Sequence, residues 1–183
     1  MKILKLKNYF FIDIPGTPSI QTWLENQKLH GKISRNRTRF VRLLIDRIKE
    51  INQTKQDLLA KYSEKNKEGK TVYVVGEQVE TVDKNGVKSV EFKETETTDS
   101  TPSPNKRYKI VDSNGFNKEW AEYIEEEMII DVTPANAESV YAIRDLLLKS
   151  DDDFSGRGAV LYDDWCNAFE EVKDSEGDKK KTE

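Results

Sequence analysis

Between Ser34 and Tyr62 the chain reads SRNRTRFVRLLIDRIKEINQTKQDLLAKY. Val41, Leu44, Ile48, Ile51, Leu58 and Tyr62 recur there at steps of three and four, with Lys55 as the one polar interruption. That spacing lines up one apolar stripe on an α-helix. Ser34 is placed to cap it, and neither Pro nor Gly occurs before Gly69. At 1.5 Å per residue the helix would be about 40 Å long, longer than most in a domain of this size. Every other element must pack along it or hang from it.

A chain of 183 residues has room for one domain, or one domain with an inserted module. Its hydrophobic fraction, 36%, is low and its charged fraction, 35%, is high, yet 17 aromatic residues can furnish a modest core. The single cysteine, Cys166, excludes an internal disulfide. Tyr9–Ile12 is the longest apolar run near the N-terminus, too short for a signal core or a membrane span. These features predict a soluble chain. Charge is unevenly spread: residues 1–70 carry 16 Lys/Arg against 7 Asp/Glu, and residues 71–183 carry 14 against 27. Such a split marks either a basic partner-binding arm or two halves attracting one another within a fold.

Taken in order, Lys2–Lys7 (KILKLK) alternates like a half-buried strand with Ile3 in its apolar set, its lysines suited to a sheet edge. PGTP at 15–18 is a turn, and Ser19 caps a helix over Ile20–Leu29 that Gly31 closes in left-handed conformation, leaving His30 in the last turn. After Gly69 the period drops to two. Thr71–Val75 reads as a strand, and Gln78–Val82 faces Val87–Phe92 across an Asn85-Gly86 hairpin turn. Residues 95–105, TETTDSTPSPN, form a mobile loop, followed by strand character at Lys106–Val111 and a turn at Asn114-Gly115. Phe116, Trp120 and Ile124 repeat one turn apart, Met128–Val132 is a short strand, and Thr133-Pro134 starts a helix burying Val140, Ile143 and Leu147. A last helix from about Ala159 carries Leu161, Trp165, Phe169 and Val172, and 173–183 is a disordered tail.

The segments LHGKISRNRTRFVRLLIDRIKE, YSEKNKEGK, EMIIDVTPANAESVYAIRDLL and FSGRGAVLYDDWCNAFEEV resemble a family of small uncharacterised proteins. That family, a domain of unknown function, belongs to tailed phages and prophages of Gram-positive bacteria. The resemblance covers both ends of the chain and leaves the hairpin and the TETTDSTPSPN stretch as a variable middle. It implies a phage origin and action in the cytoplasm of the infected cell, and it brings no active-site residues.

No catalytic constellation stands out. His30 is the only histidine, so nucleophilic catalysis would have to join it to Cys166 or a serine without a supporting motif. A structural zinc site wants four Cys/His ligands where two exist. Asp151, Asp152, Asp153, Asp163 and Asp164 lack the ladder of a calcium loop and read as caps and helix-dipole partners. Gly156 and Gly158 flank Arg157 without a phosphate-cradling pattern. The reading is therefore a non-enzyme without metal or cofactor.

The informative feature is a basic helix face. At 100° per residue Arg35, Arg39, Arg42 and Lys49 share one sector with Asp46, away from Val41 and Ile48. Such a row can meet an acidic protein surface or phosphates. The isoelectric point of about 5.3 favours the former.

The sequence thus predicts a single α+β domain over residues 1–172. A long amphipathic helix packs with N- and C-terminal helices, and a small antiparallel sheet with a β-hairpin occupies 70–112. It acts by binding another protein, host or phage, as a host-directed modulator or an accessory to virion production. Nucleic-acid binding through the arginine face is the alternative, an unrecognised enzyme the third, and no membrane role is expected. Self-association is compatible with all three.

Overall fold

The computed structural model describes residues 2–82 and 88–172; the expected Asn85-Gly86 turn and C-terminal tail lie outside them. The fold is mixed α+β, with one long helix and two small antiparallel sheets where a single sheet is expected. The chain resolves into two compact units. One comprises the described residues of Met1–Ile51 and Glu122–Glu183, the other Asn52–Ala121.

In the first unit, β1 (Lys2–Lys7) pairs antiparallel with β5 (Glu127–Val132), Lys2 opposite Val132 and Lys7 opposite Glu127. The strand lies where its alternation predicts, but the faces are the reverse of the expectation for Ile3. Leu4 and Leu6 are fully buried and Ile3 is 39% exposed, so its side chain shares the outer face with Lys5. Lys5 and Lys7 meet Glu127 and Glu125 there. A 3-10 turn, Asn8–Phe11, follows and buries Phe10 and Phe11. Gly16, at φ 78°, closes a tight turn in which the main chains of Ile14 and Thr17 bond each other in both directions.

Helix α1 (Ile20–Asn26) is capped by Ser19, whose hydroxyl accepts from the Thr22 amide. It stops three residues short of the expected Leu29 because Arg37 Nη1 donates to the carbonyls of Leu24 and Gln27. A side chain from the next helix thus supplies what a glycine cap would have supplied. Gly31, at φ 60°, instead opens α2 (Gly31–Lys61, 31 residues, about 45 Å), so Ser34 lies within the helix and does not cap it. His30 correspondingly sits exposed in the connection before α2 and not at a helix C-terminus.

The buried side of α2 in this unit is Asn36, Phe40, Leu44 and Ile51, while Val41 and Ile48 are only half-buried. Phe40 packs on Phe169 of α5 (Arg157–Glu170), ring centroids 5.6 Å apart. Trp23 meets Trp165 of the same helix at 6.0 Å. Val140, Ile143 and Leu147 of α4 (Ala137–Leu148) are fully buried, as are Trp165 and Phe169 of α5. Each such side chain stabilises the fold by roughly 1.5–3 kcal/mol of transfer free energy. Helix α4 begins later than Thr133-Pro134 because Asn136 Oδ1 accepts from the Thr133 amide and its Nδ2 donates to Asp131, which holds a turn.

In the second unit, β2 (Tyr73–Val82) is the central strand between β3 (Lys88–Thr97) and the short β4 (Lys106–Tyr108). The two candidate strands at Thr71–Val75 and Gln78–Val82 are therefore one. Val74 is buried and the rings of Tyr73 and Tyr108 pair across strands at 4.9 Å. Residues 95–97, expected in a loop, complete β3, and Asp99 and Thr101 take hydrogen bonds from Lys106. Asn114-Gly115 is no turn: both residues lie in the first turn of α3 (Ser113–Ile124), because Asp112 Oδ1 caps the Gly115 amide.

Candidate interaction surface

The basic residues of α2 in the first unit fall into two groups, and the division follows their position around the helix. Arg37 and Arg47 flank the buried side and are consumed by the fold. Arg37 holds the end of α1. Arg47 donates through Nε to the buried Asn8, reaches Glu50 and Glu126, and lies 5.7 Å over the ring of Tyr123. Only 16% of its side chain is exposed. The carboxylates and phenol around it raise its pKa against the opposing effect of burial.

Arg35, Arg39, Arg42 and Lys49, the residues expected to form a site, all point to solvent. With Phe40, Leu44 and Ile51 fixing the inner face, the 100° rule places Arg42 and Lys49 roughly opposite it and Arg35 beside them. Arg39 leans toward α4, where its Nη1 lies 3.8 Å from Glu138, a carboxylate that also receives Lys32 at 2.5 Å. The hydrogen bond from Lys32 holds Glu138 below the usual carboxylate range, and the more distant charges of Arg39 and Arg35 add to it. Lys49 leans on Asp46 within its own helix. Arg35 and Arg42 have no carboxylate within ion-pair distance among the described residues. One face thus holds more guanidinium than its neighbouring carboxylates neutralise.

Other groups weighed as chemistry are occupied structurally. Asp152 accepts from Trp23 Nε1 and Gln27 Nε2, both at 2.8 Å, and these bonds hold it below its ordinary range. Asp164 accepts from Tyr9, whose phenol burial and that bond push well above its usual value. Burial likewise raises the Cys166 thiol, which makes it a poor nucleophile. Among the described residues no three His, Cys, Asp or Glu side chains stand close enough to hold a metal ion. Nor does any described helix have the length and apolarity to cross a membrane.

Two cavities were not legible in the sequence. In the second unit one of about 960 Å³ lies beside β2 and β4, but its charged lining is self-paired. Lys109 binds Glu64 and Glu96, and Arg107 binds Glu94. In the first unit one of about 780 Å³ lies between the start of α2 and α4, and Lys32 and Glu138 belong to its lining. It therefore adjoins the basic face. No family model, curated protein or solved structure matches the chain.

Proposed function

We propose that the chain is a non-catalytic binding protein that engages an acidic surface of another protein through the exposed basic face of α2. The observation that supports this is the division of the arginines. Arg37 and Arg47 are spent on carbonyls, carboxylates and a ring inside the fold, whereas Arg35 and Arg42 have no carboxylate within ion-pair distance among the described residues. Desolvated guanidinium groups are favoured at protein interfaces because they give several directed hydrogen bonds and a flat apolar surface. The resemblance to phage proteins supports a setting in the infected cell, with a host protein or a virion component as the partner.

Nucleic acid is the second reading, since arginines also read phosphates. Asp46, Glu50 and Glu138, interspersed along the same side, weigh against it, because carboxylates at that spacing repel a phosphate backbone. Replacing Arg35, Arg39 and Arg42 together with Ser separates the readings. Binding to the protein partner is lost while the unfolding midpoint barely moves, since exposed charges contribute little to folding. Wild-type affinity should survive moderate salt. A log-linear loss of affinity for DNA or RNA with salt, and no protein partner, would favour nucleic acid instead.

A further inference from the structure

We infer that the second unit carries a binding site for a neutral saccharide, with one pyranose ring seated against the side chain of Phe92. The site uses residues of the second unit only and is independent of the reading of the basic face.

Strand register builds it. Gln78 faces Phe92 and Gly76 faces Glu94 between β2 and β3, and Val74 faces Arg107 between β2 and β4. Residues directly opposite, and residues two apart along a strand, point to the same side of a sheet. Phe92, Glu94 and Arg107 therefore share one face with Gln78, and Gly76 leaves that face without a side chain on the central strand. The Gly76 amide donates to the Asn105 carbonyl, which brings Asn105 alongside. The resulting cavity of about 630 Å³ is lined by all six residues. A glycine inside a strand is a common mark of close approach by another group.

The ring supplies the apolar contact. A Cβ at Gly76 would lie 2.7 Å from Phe92 Cε1 and 2.8 Å from Cζ, but 3.9 Å from Cδ1. The ring thus meets the glycine with one edge. Covering a strand glycine accounts for that edge and leaves the faces open. Among the described large apolar side chains Phe92 is the most exposed, at 68%. An aromatic face is electron-rich and attracts C–H groups polarised by neighbouring oxygens. One side of a pyranose is a patch of such C–H groups, and its rim is hydroxyl.

The charges around the ring select a neutral ligand. Arg107 and Glu94 lie 2.5 Å apart and cancel. Lys106, also in the lining, has a side chain only 8% exposed and spends its ammonium on Asp99 and the Thr101 carbonyl. Gln78 and Asn105 are uncharged and exposed. Donors and acceptors thus stand side by side without net charge, and a hydroxyl, which both donates and accepts, matches them. A phosphate backbone would find no uncompensated cation here, which disfavours a stacked nucleic-acid base.

The test applies the full chain to a printed array of neutral and charged glycans. Hits are then measured in solution by saturation-transfer NMR, beside a short oligothymidylate. We expect neutral glycans to bind, with saturation strongest at the C–H protons of one pyranose face. Affinity should fall more than about fivefold on Phe92→Ser and persist on Phe92→Tyr, which keeps the ring. Gln78→Ala, an exposed position, should weaken binding in the same direction, and circular dichroism confirms that all three variants fold. Equal binding to wild type and Phe92→Ser, binding of charged glycans alone, or an array without a hit would overturn the inference. So would an oligothymidylate that binds through Phe92 while no neutral glycan does, since the ring would then be a base-stacking platform.

Discussion

Trp23 Nε1 donates to the Asp152 carboxylate at 2.8 Å, joining α1 to the loop that precedes α5 across 129 residues of sequence. Trp23 is buried, so its indole N–H depends on that acceptor. Asp152→Ala should destabilise the fold by about 1–2 kcal/mol in denaturant unfolding, the cost of stranding a donor at a partly solvated site. The bond also sets a pH dependence. Asp152 titrates below its ordinary 3.8 in the folded state, so its contribution is complete above that value and disappears as pH falls through the lower folded one. Wild-type stability should therefore decline below about pH 4, and Asp152→Asn, which keeps an acceptor but cannot titrate, should decline less steeply.

Gly115 is fixed by crowding and not by backbone conformation. A Cβ there would sit 2.5 Å from Tyr62 Cε1 and closer still to Asp112 Oδ2. Neither neighbour yields easily. Tyr62 is held by its hydrogen bond to Glu119 and by an edge contact with Phe116, and Asp112 caps the helix through the Gly115 amide. Gly115→Ala should cost about 1–3 kcal/mol in equilibrium unfolding despite alanine's better helix propensity. A stabilised variant would mean that this packing is loose.

Asn36 should behave in the opposite sense. Its amide makes no hydrogen bond with any described side chain, so Asn36→Leu should raise stability by about 1 kcal/mol. Thermal unfolding of the purified variant measures this. A fall in stability would show that the amide has a partner in solution.

The two classes of arginine predict unequal costs. Arg47→Ala removes charge-assisted bonds to Asn8, Glu50 and Glu126 from a mostly buried side chain and should cost about 2 kcal/mol or more. Arg42→Ala should fall within about 0.5 kcal/mol of wild type. Denaturant titration of the two variants side by side checks this, and equal costs would erase the distinction on which the proposed site stands.

Local signals carried far in this chain where one residue sufficed. The bounds of β1 follow from KILKLK, the cap at Ser19 from its hydroxyl, and the inner faces of α4 and α5 from their apolar spacing. What failed depended on partners distant in sequence. Arg37, not a glycine, ends α1, and Asp112 turns Asn114-Gly115 from a turn into a helix start. Phe40 is obscured in the sequence because Asn36 breaks the apolar stripe one turn before it, and the three-and-four spacing runs through Val41 instead. The outward arginines were legible from angle alone, since the side opposite a core must meet solvent. The cavity was not, because its walls come from residues 27–36 and 138–152.

Thr38 lies exposed on the basic face, between Arg35 and Arg42, and its hydroxyl donates to the Ser34 carbonyl of its own helix. A photo-crosslinking benzoylphenylalanine at that position, activated in cells producing the full chain, reports directly what the face touches. The account predicts one dominant protein adduct, insensitive to nuclease, that disappears when Arg35, Arg39 and Arg42 are replaced with Ser while the unfolding midpoint stays within a few degrees of the parent. A nuclease-sensitive adduct, an adduct that persists in the triple variant, or none at all would contradict it.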